Sequence, residues 1–136
     1  MVGDLAVVLH SHMPYVEGFG TYPFGEEWLF DAFARSHLPV LEVVHDLTMS
    51  VTPVLADQLE APGVAGRMRA FLREHRLEAA ERDARESAEV AVAARAEVTR
   101  YRAALERLDG LDGDLLEAFR AAQRERGVAL VSSAAT

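Results

Sequence analysis

The chain reads as an α/β protein with parallel strands, and three observations carry that reading. Short apolar runs stand near both ends, at residues 5–9 (Leu-Ala-Val-Val-Leu) and 128–131 (Val-Ala-Leu-Val). A third short strand pattern, Thr48-Met49-Ser50-Val51, lies between two stretches of helical periodicity. Strands separated by helices require crossover connections, and crossovers build a parallel sheet.

The elements follow in order. Residues 5–9 form a continuous apolar run with β-branched members, as a parallel strand buried on both faces would, and the strand is expected to end at His10. Residues 11–25 hold three Gly, two Pro and four aromatics without any period, which predicts a long loop that shapes a site. From Glu26 the apolar positions Leu29, Phe30, Phe33, Leu38, Leu41, Val44 and Leu47 recur every three to five residues, so a helix is expected. Pro39 must kink that helix or open a second piece. After the second strand, Thr52-Pro53 pairs an N-cap residue with proline at the first helical position and predicts a helix to about Leu59.

The stretch 66–108 is rich in Ala, Arg and Glu and is expected to be helical in two or three pieces. Its middle, residues 78–95, keeps mostly Ala on the apolar side, which predicts a weakly packed helical hairpin over a barrel rim and not a core element. Asp109-Gly110-Leu111-Asp112-Gly113 is a break, Asp114 is a candidate cap, and the next helix should stop at Gly127 before the last strand.

Composition bounds the function. The 136 residues fall short of the roughly 200 to 250 that a closed β/α barrel needs. With no helix after residue 131 to cover the last strand, a truncated fold is the expectation. A formal charge of −8 supplies no basic face for nucleic acid or anionic lipid. Cysteine is absent, which excludes disulfides and thiolate metal sites, and the N-terminus has neither a basic region nor an apolar run long enough for a signal or membrane segment. A cytoplasmic protein without nucleic-acid or membrane partners is expected.

His10 and His12 are the leading candidates for a site. They stand at the C-terminal end of strand one, where parallel α/β folds place their chemistry, and a period of two aims both imidazoles the same way. Such a pair serves equally as two metal ligands or as hydrogen-bonding groups for sugar hydroxyls. Tyr15, Phe19, Tyr22, Phe24 and Trp28 follow closely, and flat aromatic rings stack on the apolar faces of sugars. Glu17 can be assigned no role from the sequence. Glu26 and Glu27 make a poor catalytic pair, because helical neighbours point about 100° apart; helix-dipole stabilisation at a first turn explains them better. His37, His45 and His75 lie in helical stretches and are read as surface or packing residues.

Four segments taken together resemble glycoside hydrolase family 57, in particular its 1,4-α-glucan branching group. They are Leu9-His10-Ser11-His12-Met13-Pro14-Tyr15, Gly25-Glu26-Glu27-Trp28-Leu29-Phe30, Leu38-Pro39-Val40-Leu41 and Ser50-Val51-Thr52-Pro53-Val54-Leu55. The resemblance runs through essentially the whole chain and implies that residues 1–136 are the N-terminal part of an incomplete (β/α)7 barrel, with a helical insertion at about 66–108. It implies a retaining double displacement with a Glu nucleophile and an Asp acid/base about 5 to 5.5 Å apart, an α-glucan substrate in glycogen synthesis, and no metal or other cofactor. His10 and His12 would contact the sugar nearest the cleaved bond, Trp28 would line the donor cleft, and Tyr15 is a further substrate-binding candidate. Ser133-Ala134-Ala135-Thr136 looks like the opening of the family's second motif, so neither catalytic carboxylate would fall within this sequence and the chain alone would be inactive. Two other readings compete: a metal-dependent hydrolase using His10 and His12 as its first ligands, and a helical interaction module in which no proper sheet forms.

Overall fold

The computed structural model describes residues 2–16, 25–86 and 88–133. The aromatics Phe19, Tyr22 and Phe24, together with Glu17 and residues 134–136 of the expected second motif, lie outside them.

Three strands, β1 (Val8–Ser11), β2 (Thr48–Val51) and β3 (Ala129–Ser132), pair in parallel in the order β1-β2-β3. The register sets Leu9 beside Met49 and Leu130, and His10 beside Ser50 and Val131. A proper parallel sheet is therefore present, which removes the condition on which the helical-module reading rested.

The first crossover runs through α1 (Glu26–Ala32), a π-helical turn (Phe33–His37) and α2 (Leu38–Val43). The two expected pieces are thus joined end to end. Proline at 39 has no N–H to donate and its ring crowds the carbonyl four residues back, and a widened π turn immediately before it accommodates both demands. α3 (Pro53–Glu60) begins as Thr52-Pro53 predicts, with the Leu55 N–H donating to Thr52 Oγ1 at 3.2 Å. α4 (Val64–Phe71), a second π turn (Leu72–Leu77), α5 (Glu78–Glu86) and α6 (Ala91–Gly110) follow. α7 (Glu117–Arg126) leads to β3, and Leu115 and Leu116, expected inside that helix, instead form the turn before it, with the Leu116 N–H donating to Asp114 Oδ1 at 3.1 Å. Gly127 ends α7 at φ 65, a left-handed conformation that favours glycine, and a Cβ there would lie 2.6 Å from Asp46 Oδ1 and oblige that side chain to shift.

The hydrophobic core gathers Phe33, Leu41, Leu55, Leu59, Met68, Leu72, Ala104, Leu115 and Phe119 with Met49 from the sheet. α5 contributes one buried residue, Ala80, which meets the expectation of weak packing for the Ala-rich hairpin. Polar contacts hold the segments on either side of it to the first crossover. Arg76 grips Asp31 through both carboxylate oxygens, Nε donating to Oδ1 at 3.0 Å and to Oδ2 at 2.9 Å and Nη2 donating to Oδ2 at 2.5 Å, and its guanidinium lies 4.7 Å from the Phe71 ring centre. The hydrogen bonds to Asp31 raise the Arg76 pKa further, against the opposing cost of burial. Tyr101 on α6 accepts from Arg35 at 3.1 Å and donates to Asp31 at 3.4 Å. Burial first, then the Asp31 charge, pushes its phenol above the usual range.

One expectation is corrected. Residues 5–9 are not a strand buried on both faces: pairing starts at Val8, and Leu5 is 90% and Val8 63% exposed. A parallel strand loses both faces to the interior only when layers cover both. Among the described residues the helices cover the side of Leu9, Met49 and Leu130, and leave open the side of Val8, His10 and Val131. No described helix is long and apolar enough to cross a membrane.

Candidate functional site

His10 and His12 stand at the C-terminal end of β1, the first within the strand and the second one residue beyond it. Their rings stack with centroids 5.6 Å apart and planes 17° from parallel, the common direction that alternate positions predict. Both residues are exposed. Next to them, His10 Nδ1 lies 2.5 Å from Ser50 Oγ, a contact made possible by the parallel register that sets Ser50 directly beside His10. A cleft of about 250 Å³ runs along the free edge of β1, walled by the two histidines, Ser36, His37, Val40 and Met49.

The loop that follows is pinned by a residue that sequence reasoning missed. Gln58 on α3 is 2% exposed; its Oε1 accepts from the Val16 N–H at 2.7 Å, while Nε2 donates to the carbonyls of Pro14 at 3.1 Å and Val54 at 3.2 Å. One amide thus satisfies all of its principal hydrogen-bonding capacity and holds the segment after His12 against the core, helped by buried Met13 and Val16. A single glutamine in a helical pattern carries no local signal, so only the fold reveals it. Ser50 was noticed as part of a motif but not as a partner of His10.

The remaining candidates are placed as follows. Tyr15 is 55% exposed on the pinned loop, and Trp28 is 45% exposed on the first turn of α1. The distances that define the site join His10 to His12 and Ser50; the aromatic pair is located by element and exposure. Glu26 is held by Arg67 at 2.8 Å from Nε and 2.5 Å from Nη2, so its role is an ion pair at the helix start. His37 is a packing residue, stacked 6.0 Å from Phe33 and tilted against Phe119 at 6.2 Å, with Nδ1 donating to the Ala32 carbonyl at 3.2 Å. Among the described residues no group of three or more His, Asp or Glu side chains is arranged to hold a metal ion.

A parallel sheet with helical crossovers and a polar pair at its strand C-termini defines the opening units of a β/α-barrel protein. No protein-family model matches the chain. Over its full length it is 32% identical to a 1,4-alpha-glucan branching enzyme of Thermococcus kodakarensis, across 145 residues that make up 21% of that protein. The crystal structure of the Thermococcus enzyme, a family 57 branching enzyme, superposes with a TM-score of 0.83 over 95% of this chain and 25% of the other. A family 57-type branching enzyme from Pyrococcus horikoshii gives 0.82 at 34% identity, covering 95% of this chain and 26% of that one. The alpha-amylase AmyC of Thermotoga maritima gives 0.81 at 26% identity, covering 97% and 27%. Over essentially its whole length the chain is similar to glycoside hydrolase family 57 branching enzymes, and its fold matches the N-terminal region of their (β/α)7 barrel. It spans about a fifth to a quarter of the length of these relatives.

Proposed function

We propose that residues 1–136 form the N-terminal part of a retaining, α-glucan-active enzyme of the branching type, in which α-1,4 linkages are cut and rejoined as α-1,6 branches in glycogen synthesis in the cytoplasm. The stacked His10 and His12 at the C-terminal end of β1 carry this reading. Imidazole nitrogens donate to and accept from sugar hydroxyls, and the exposed rings of Tyr15 and Trp28 offer flat apolar surfaces for pyranose faces. The open side of the sheet, with Val8 and Val131 exposed, becomes the barrel interior once further strands close around it. The Glu nucleophile and Asp acid/base belong to sequence outside these residues, so the chain alone binds glucan weakly and does not turn it over. The helical stretch around 66–108 is the insertion between the second and third strands.

The test is a titration of the isotope-labelled chain with maltoheptaose, followed by NMR, alongside a reducing-end and branching assay. Shifts confined to His10, His12, Tyr15 and Trp28 without turnover are expected. His10→Ala should abolish the shift at His12 and, because it takes away the acceptor of the nearly buried Ser50 hydroxyl, cost about 1–3 kcal/mol of unfolding free energy. A folded chain whose resonances ignore millimolar sugar would sink the binding reading. Measurable branching would sink the assignment of the carboxylates elsewhere.

A further inference from the structure

We propose that Ser50 is a positioning residue that holds His10 in the tautomer protonated at Nε2, so that the nitrogen turned away from Ser50 is a hydrogen-bond donor to a sugar oxygen. The donor role rests on the glucan reading above; the tautomer does not. The argument starts from the hydroxyl. Ser50 lies on the central strand and is 8% exposed, so its O–H has little access to water and needs an acceptor. Among the described residues the acceptor within bonding distance of Ser50 Oγ is His10 Nδ1, at 2.5 Å. If Nδ1 carried the proton, the hydroxyl would be an acceptor and its own hydrogen would point at nothing recorded. A bare Nδ1 that accepts from Ser50 leaves the proton of the neutral ring on Nε2.

Geometry explains why the position is specific. Parallel pairing brings residue 50 beside residue 10 on the open face of the sheet, where Val8 and Val131 are exposed. A short hydroxyl on the neighbouring strand reaches the near nitrogen of the ring and fixes its rotation, while the far nitrogen faces the side left uncovered by helices. His12, stacked at 5.6 Å, limits the ring from its other flank. A donor in a fixed direction selects for an oxygen at one place on the pyranose, and the ordering cost is met on folding, before sugar binds.

Long-range proton–nitrogen correlation NMR of the chain, above the ordinary imidazole pKa of about 6.5, reads the two ring nitrogens directly. The expected spectrum has an unprotonated Nδ1 and a protonated Nε2 for His10. In Ser50→Ala the two nitrogens should move toward the averaged shifts of a freely exchanging imidazole, and in Ser50→Thr the wild-type pattern should return. Maltoheptaose binding should weaken about three- to tenfold in Ser50→Ala and recover in Ser50→Thr. A protonated Nδ1 in the wild-type chain overturns the proposal, and that measurement needs no variant to fold. An Nε2-protonated His10 in a chain that ignores the sugar upholds the tautomer and removes the glucan reading instead.

Discussion

The two faces of the sheet differ more than the two ends of the chain do. Along β1 the residues alternate: Leu9 and Ser11 turn toward the helices, while Val8 and His10 turn to the open side. The same alternation separates Met49 from Ser50 on β2 and Leu130 from Val131 on β3. One face packs against the core, with Met49 buried and Leu9 and Leu130 partly buried, and carries the stability. The other holds the hydrogen-bonded His10–Ser50 pair beside exposed Val8 and Val131 and carries the candidate site. A strand period of two therefore lets one short segment serve both purposes, provided that the layers over the two faces are different.

The sharpest way to break that comparison is to truncate one apolar side chain to alanine on each side. Leu55 is fully buried on the helical side, and Leu55→Ala should cost about 2–5 kcal/mol in urea unfolding. Val8→Ala on the open face should change the unfolding free energy by less than about 0.5 kcal/mol. Similar losses for both would mean that the open face is covered in solution. Next in size is Gln58, which links the faces by holding the site loop to the core. Gln58→Leu strips the Val16 N–H of its acceptor and should destabilise by about 1–3 kcal/mol. Amide exchange at Val16 should quicken in the same variant, and unchanged protection there would show that the loop does not depend on the amide.

The smallest effect is a dependence on pH from the helical side. Burial holds the His37 imidazole below its usual range, only partly opposed by its bond to the Ala32 carbonyl. Between that lowered value and the unfolded value of about 6.5 the unfolded chain binds more protons, so this contribution is whole above about pH 6.5 and is lost as pH falls through that window. His37→Gln keeps a donor for Ala32 and should flatten the decline in unfolding free energy between about pH 7 and about pH 5. An identical slope in both proteins would assign the acid sensitivity to another group.

Local chemistry was legible without any coordinates. Thr52-Pro53 announced the start of α3, Gly127 the end of α7, and the alternation of His10 and His12 a shared direction for their rings. These depend on neighbours within a few residues, where backbone geometry leaves few choices. The strand pattern at 48–51 and the family likeness of the four segments were equally readable, as was the light packing of the Ala-rich hairpin.

The tertiary structure decided everything that rests on partners far apart in sequence. Ser50 meets His10 across 40 positions, Gln58 meets Val16 across 42, and Arg76 meets Asp31 across 45. It also decided that residues 5–8 lie open, because an apolar run records the capacity to be buried and not whether a layer arrives to bury it. Periodicity thus determined which side chains share a face. Only the folded chain determined which face was closed, since that depends on where the crossovers pack and no single segment contains that information.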